Sequence, residues 1–416
     1  MLADFDVIIV GGGAAGIGAA RRLASSGLTT LLFEADSRLG GRAWTRTIEG
    51  LPLDLGCGWL HSADRNSWAA LADSSGIALE KRRAAWGIQY GDLGFTRDEQ
   101  SQARKAFESW MQQLPAVRAT SDRASDALPT DGAWNPYIQS IVNFISGGPL
   151  DQLSAADYLN YDEASTDFNW RAPRGLGALI VEHFPAHVAL RLGTPVESLE
   201  LTTRGVALGT PAGAVTARAA VFTVSTAVLT GDAIRLPKAL NPWREAAQSL
   251  PLGHNEKLFF AIEGVSPFEV ETQVLGNPRD ASTASYYLRP LGMPVVECFF
   301  GGDTARMVKK EGADAGFAFA LRQLQALFGA DVARHLRPLA ASEWGRSAHV
   351  GGAYSYAQPG KAAARQTLAR DFEERVFFAG EATNRDEYST AHGAHDSGVR
   401  AADEAIASLV ALSRKG

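Results

Sequence analysis

Apolar and polar positions alternate in a recognisable unit near the start of the chain. Val7 to Val10 is an apolar run of one buried strand's length, Ile17 to Leu23 continues with helical character, and Leu28 to Phe33 forms a second apolar run ending on Glu34. Gly11, Gly13 and Gly16 fall between the first run and the helix in the spacing GxGxxG. Gly11 permits the tight turn, Gly13 lets backbone approach a pyrophosphate, and Gly16 lets the helix lie close on the strand. The helix start offers unpaired N–H groups and a positive dipole end to phosphate. Glu34, at the tip of the second strand, is placed to accept from ribose hydroxyls, and its charge argues against a 2′-phosphate. The pattern predicts a strand–turn–helix–strand unit that binds a dinucleotide.

Further along, the pattern changes character. Ala103, Phe107, Trp110, Met111 and Leu114 recur at helical spacing, Ser121 to Pro136 reads as loop, and Asn135-Pro136 opens an apolar helix over Ile138 to Ile145. Trp86, Trp110, Trp134 and Trp170 give this region aromatic weight, which as a group suits an apolar chamber. Pro173 to Phe184 reads as a turn entering a helix. Val196 to Ala220 alternates strands with glycine turns, and Ala219 to Ser225 is a buried-strand run. Lys257 stands at the start of the apolar run Leu258 to Ile262, where a surface lysine at a strand end is the ordinary reading. Strand and helix patterns then mix from Ser266 to Leu339. Val376 to Ala379 reads as a strand, followed by Gly380-Glu381, a loop, and a helix whose apolar stripe is Val399, Ala402, Ile406 and Leu409.

Composition narrows the classes. The 416 residues suffice for two domains, and 46% hydrophobic with 21% charged content is that of a globular protein. A net charge of −6 leaves no basic footprint for nucleic acid. Asp4 and Asp6 flank the first apolar run where a signal peptide would carry cations, and no stretch reaches the length of a membrane span. Cys57 and Cys298 cannot form a disulfide framework, so a reducing, cytoplasmic setting is expected. His183 and His187 are separated by Pro185, which interrupts the helix a metal-binding pair requires, and His392, His395 and Asp396 are read without a metal.

GGGAAG, Glu34, RLGGRAWT, LDLGCGWLHS (Leu53 to Ser62), SEWGRSAHVGGAYSYAQPG (Ser342 to Gly360) and FFAGEATN together resemble the flavin-dependent amine oxidases. That group contains the monoamine and polyamine oxidases and the lysine-specific histone demethylases, and the wording here is most similar to the polyamine oxidases. The resemblance implies an α/β fold: a discontinuous Rossmann-like FAD-binding domain (residues 1–75, 175–255 and 345–416) with an α+β substrate domain (76–174 and 256–344). It implies that Gly11, Gly13, Ala15, Gly16, Glu34, Gly41 and Arg42 hold the adenosine diphosphate part of FAD, with the Val196 backbone at the adenine. Gly56, Gly58, Trp59, Gly380, Glu381 and Ala391 would hold the flavin part, Glu381 accepting from the ribityl chain. Lys257 would hold a water against the flavin, Trp344 and Tyr354 would flank the ring, and His61 would contact substrate. Thr390 stands where monoamine oxidases place a second tyrosine. Ala353 occupies the position of the cysteine that tethers flavin in monoamine oxidases, so FAD is expected to be non-covalent. The implied reaction is hydride transfer from an amine α-carbon to flavin, hydrolysis of the imine to an aldehyde or ketone, and reduction of dioxygen to hydrogen peroxide. A small-molecule amine and dioxygen are the expected partners, with no nucleic acid or membrane; oligomeric state is left open. Three alternatives stand beside it: an L-amino-acid oxidase, which needs a cation that LGCGWLHS lacks, a flavin dehydrogenase or desaturase with another electron acceptor, and a flavin-holding interaction protein without turnover.

Overall fold

Two sheets carry the molecule, whose computed structural model describes residues 3–415, side chains beyond Ala411 excepted. The first sheet has seven strands. Phe5–Val10 lies at its centre, with Thr30–Phe33 and then Ala189–Arg191 on one side and Gly213–Phe222 on the other. Gly213–Phe222 is long enough to serve two neighbours along its far edge. Its first half pairs antiparallel with Gly205–Thr210, which in turn pairs with Ser198–Thr202, and its second half pairs parallel with Val376–Phe378. The parallel registers Val10↔Phe33, Val10↔Phe222 and Phe378↔Phe222 bring four carboxyl ends to one edge. In an open parallel sheet that edge is where ligands bind.

Near-continuous apolar strands suit a sheet covered on both faces. One face is covered by Ala14–Ala24 and the long helix Ala391–Lys415. These two helices meet through glycines: a Cβ on Gly18 would lie 2.5 Å from the His395 carbonyl oxygen, and one on Gly398 would lie 2.0 Å from that of Ala15. The expected stripe on the last helix is accordingly shifted. Ala402 and Leu409 are buried, whereas Val399 and Ile406 are half-buried, and Ala401 and Ala405 take the contact instead. The charged end of that helix lies outside the described side chains.

The second sheet is antiparallel, in the order Thr272–Leu275, Ala284–Leu288, Val295–Gly301, Asn255–Ile262, Leu336–Ala341. One face (Leu258, Phe260, Tyr286, Cys298, Phe300) packs under Ala313–Phe328. The alternate residues Lys257, Gln273, Ser285, Tyr287, Glu297 and Phe299 necessarily share the other face. A helical layer over residues 97–164 completes the fold. Arg97–Arg118 opens with a capping box of Thr96 and Glu99 and buries Ala103, Trp110 and Leu114, as their spacing predicts. Asn135–Ser146 carries Pro136 in its first turn. A further helix, Ala155–Ala164, lies in a stretch whose pattern gave no sign of it. Among the described residues no helix is long and apolar enough to cross a membrane.

Candidate active site

The turn after Phe5–Val10 is built for an anion. Gly11 has φ +107°, and a Cβ on Gly16 would lie 1.9 Å from the Gly11 carbonyl oxygen, so neither position accepts a side chain. Gly13 differs: a Cβ there would meet nothing closer than 3.9 Å, and what it would meet is Gly40 and Gly41. Its cradle is open on the protein side. The helix that Gly13 begins has no side-chain cap and no acid in its first turn, leaving N–H groups for a ligand. The Ala15 side chain is buried in the sheet–helix core, so only its backbone serves the turn. Gly40 N–H donates to the Gly12 carbonyl, which brings Gly41 (φ +55°) and Arg42 beside the turn. The Glu34 carboxylate accepts from the N–H groups of Gly12 (2.6 Å) and Asp36 (2.8 Å), one per oxygen. Each oxygen therefore keeps acceptor capacity for a ribose hydroxyl. Residues 193–194 bond to Asp36 and Glu34, which carries Val196 to the same corner.

Arg42 leads to the other end of the cleft. Its Nη1 donates to the Ala353 carbonyl and to Glu381 (2.9 Å), while among the described residues Nε and Nη2 make no hydrogen bond. A cleft runs from Arg42 past Ser225 and Gly380, and a Cβ on Gly380 would meet nothing within 4 Å. Glu381 itself is not free to accept a ribityl hydroxyl as expected. Its oxygens already take Arg42 Nη1, both the N–H and the hydroxyl of Ser355, and the Ser389 N–H. A carboxylate offers about four such positions, and all are filled. Burial acts to raise its pKa, but the guanidiniums of Arg42 and Arg365 with these donors outweigh it and hold the carboxyl below its usual range. Glu381 therefore serves by fixing Arg42.

The mixed face of the second sheet looks onto the segment Gly56 to His61. Lys257 lies there, buried, with its ammonium 2.9 Å from Glu297. A Cβ on Gly58 would sit 3.1 Å from that ammonium, a tight fit, and one on Gly56 would lie 1.7 Å from the Arg42 carbonyl oxygen, which forces glycine there. Burial works against the lysine's charge, yet the carboxylates of Glu297 and Asp54 prevail and raise its pKa above the ordinary value. It is charged at any working pH. Asp54 is held in turn by Thr45 and by the N–H groups of Leu176 and Gly177, whose helix it caps.

Aromatic rings wall the same space. Trp59 packs on Trp86 (4.4 Å between centroids) and edge-on to Tyr287 (6.1 Å), and Phe144 packs on Phe299 (5.9 Å). The Tyr354 hydroxyl donates to the Phe144 carbonyl at 2.6 Å, which commits its proton. His61 Nδ1 pairs with the Asn169 side-chain oxygen (2.7 Å), and burial lowers its pKa to about 4, so the ring is neutral.

A family model described as flavin-containing amine oxidoreductase matches residues 79–406, and one for a Rossmann-like NAD(P)-binding domain matches residues 9–74. The chain belongs to the flavin-containing amine oxidoreductase family. It is an FAD-dependent amine oxidoreductase, and the open cradle at Gly13, the free nitrogens of Arg42 and the empty side of Gly380 fit that cofactor. Polyamine oxidase 2 of Arabidopsis thaliana is 27% identical over 96% of this chain and 87% of its own. A pseudooxynicotine dehydrogenase of a Pseudomonas species is 48% identical, but over 65 residues, 16% of this chain and 13% of its own. A solved putrescine oxidase superposes with a TM-score of 0.78 at 19% identity, covering 97% of this chain and 99% of that one, which shows the shared fold.

Within this amine oxidoreductase several residues take parts that their positions did not suggest. The Trp344 indole N–H donates to the Leu55 carbonyl (2.9 Å) and its ring packs edge-on to Trp44, so it braces the segment that contains Leu55. The Thr390 hydroxyl donates to the Glu387 carbonyl and accepts from Gly393 N–H, which makes it the cap of the last helix. The Ala391 carbonyl receives the Trp68 indole N–H. Trp110 and Trp134 belong to helical-layer cores, leaving Trp86 near the chamber with Trp170, which pairs across to Leu60. Glu297 and Arg171 went unnoticed in the sequence. Arg171 is buried, stacks on Trp59 and Tyr287, and pairs with Glu271 at 2.6 Å. A lone acid inside VVECFF signals a buried partner, because a carboxylate in an apolar strand is otherwise too costly.

Proposed function

We propose that this enzyme oxidises a small primary or secondary amine at the carbon beside nitrogen, with dioxygen as electron acceptor and hydrogen peroxide as product. The observation that carries the reading is Lys257: a buried ammonium held by Glu297 and packed against Gly58, on the sheet face that also carries Tyr287 and Phe299. Bound FAD supplies the redox chemistry by taking a hydride equivalent from the amine. Gly13, Gly41 and Arg42 would hold its diphosphate, Glu34 and Val196 its adenosine, and Gly56, Gly58, Trp59 and Ala391 its ring. The polyamine oxidases among the relatives point to a polyamine-like or other simple amine as substrate.

The chain's own groups orient and discriminate. The charged lysine disfavours a second ammonium beside it, so the amine reacts as the free base. Neither Tyr354 nor His61 is poised to remove a proton: the Tyr354 hydroxyl is committed, and His61 has too low a pKa to act as a base near neutrality. The substrate carbon loses its hydrogen with the electron pair, nitrogen loses its proton to solvent, and water adds to the imine. The ammonium of Lys257 favours negative charge developing as dioxygen takes two electrons and two protons. The unpaired Cys57 and Cys298 support residence in a reducing compartment such as the cytoplasm.

A second reading replaces dioxygen with another acceptor, and the local likeness to a dehydrogenase favours it. Mixing amine-reduced enzyme with oxygenated buffer decides. Rapid return of the oxidised flavin spectrum with stoichiometric peroxide supports the oxidase, and a reduced flavin that persists in oxygen overturns it.

A further inference from the structure

We propose that the buried pair Arg365–Asp157 is a positioning device for FAD binding, acting through Ser355 and Glu381 to hold Arg42 toward the diphosphate. Arg365 lies in the short helix Ala364–Leu368, whose Leu368 lines the cleft, and Asp157 in the sequence-distant helix Ala155–Ala164; both side chains are fully buried. The guanidinium meets the carboxylate in two parallel bonds, Nε to Oδ1 at 2.6 Å and Nη2 to Oδ2 at 2.8 Å. The remaining nitrogen, Nη1, donates to the Ser355 hydroxyl oxygen at 2.9 Å. That bond sets a direction. With an N–H on its oxygen, the hydroxyl turns its single proton to Glu381, which it reaches at 2.7 Å. Glu381 then holds Arg42 Nη1 at 2.9 Å, and the two other nitrogens of Arg42 are left for a ligand. Tyr388 closes the network: its ring lies 3.6 Å from the Arg365 guanidinium carbon, and its hydroxyl donates to the Asp157 carbonyl.

Stability alone does not account for such a pair. Replacing a buried ion pair by apolar side chains of similar size is often neutral or stabilising, because desolvation cancels the attraction. What apolar side chains cannot do is orient the Ser355 hydroxyl. The pair also ties the helical layer to the cofactor cleft, since Asp157 accepts from the Ala357 N–H beside Ser355.

The test follows release of FAD from the holoenzyme by its fluorescence, at increasing potassium chloride, in the parent, Ser355→Ala, Ser355→Thr and Asp157→Leu/Arg365→Met. Ser355→Ala is expected to release FAD about tenfold faster, the equivalent of one charge-assisted hydrogen bond. Its release is also expected to depend less on salt, because the screened contact of Arg42 with diphosphate is weakened. Ser355→Thr restores the parent behaviour. The double variant melts within a few degrees of the parent yet releases FAD as Ser355→Ala does. A Ser355→Ala enzyme with the parent's release rate and salt dependence overturns the proposal, and that variant removes a single oxygen, so it carries the test if the double variant does not fold.

Discussion

Replacing Lys257 by Met separates the electrostatic role of this residue from its structural one. The substitution removes the ammonium 2.9 Å from Glu297 and leaves that carboxylate, and Asp54 nearby, without a cation. Breaking a buried pair in this way costs about 3–5 kcal/mol. Protonation sets a ceiling: neutralising a carboxyl of ordinary pKa at neutral pH costs about 4 kcal/mol. The Glu297 side chain keeps 20% of its surface exposed, which brings the expectation to about 2 kcal/mol and a melting point lower by roughly 4 °C. Lys257→Met/Glu297→Met removes both charges and is expected to recover most of the lost stability. The catalytic effect does not recover. With FAD bound, flavin reduction by amine, reoxidation by oxygen or both are expected to be at least about tenfold slower in either variant, as a loss of about 1.4 kcal/mol of charge stabilisation requires. Melting curves and stopped-flow traces of the two half-reactions give the answer. A double variant that is as stable as the parent and equally fast in both half-reactions refutes the role.

Gly13→Ala places a Cβ 3.9 Å from its nearest neighbour, so the FAD-stripped protein is expected to melt as the parent does while its affinity for FAD falls about tenfold or more; titration with FAD measures it. His61 is neutral in the folded chain with a pKa of about 4, against 6.5 ordinarily, so its contribution to stability is intact above about pH 6.5 and erodes as pH falls toward 4. His61→Gln is accordingly expected to lose about 1–3 kcal/mol less than the parent between those limits, read from paired denaturation curves. With Ala353 at the position of the tether, acid precipitation is expected to release all flavin into the supernatant; colour retained by the pellet contradicts it.

The geometry of the glycine turn was legible because its signals are local. Gly11, Gly13, Gly16 and Glu34 stand within one strand–helix–strand unit, and short-range sterics fix what each must do. The reading failed where a contact joins distant segments. Glu381 follows a strand and resembles a ribityl acceptor, but Ser355, Ser389 and Arg42 fill it, and nothing around Gly380 foretells those partners. Lys257 and Glu297 meet only once two antiparallel strands are in register, with Glu297 opposite Phe259. The stripe on the last helix was misjudged because hydrophobicity was weighed above size. Gly18 and Gly398 draw the helices so close that alanines fill the contact and Val399 is turned aside. Trp110 and Trp134 show the limit of composition, since aromatic weight alone does not separate a chamber wall from a core.

The central claim is that the turn at Gly13, the arm of Arg42 and the segment from Gly380 close around one FAD whose flavin an amine reduces. Anaerobic titration of the purified protein with amines, followed by the flavin absorbance, tests it most directly. One FAD per chain, bleached by an amine and restored on admitting oxygen, is the predicted result. A protein that takes up no FAD, or whose bound flavin no primary, secondary or polyamine reduces, contradicts the account.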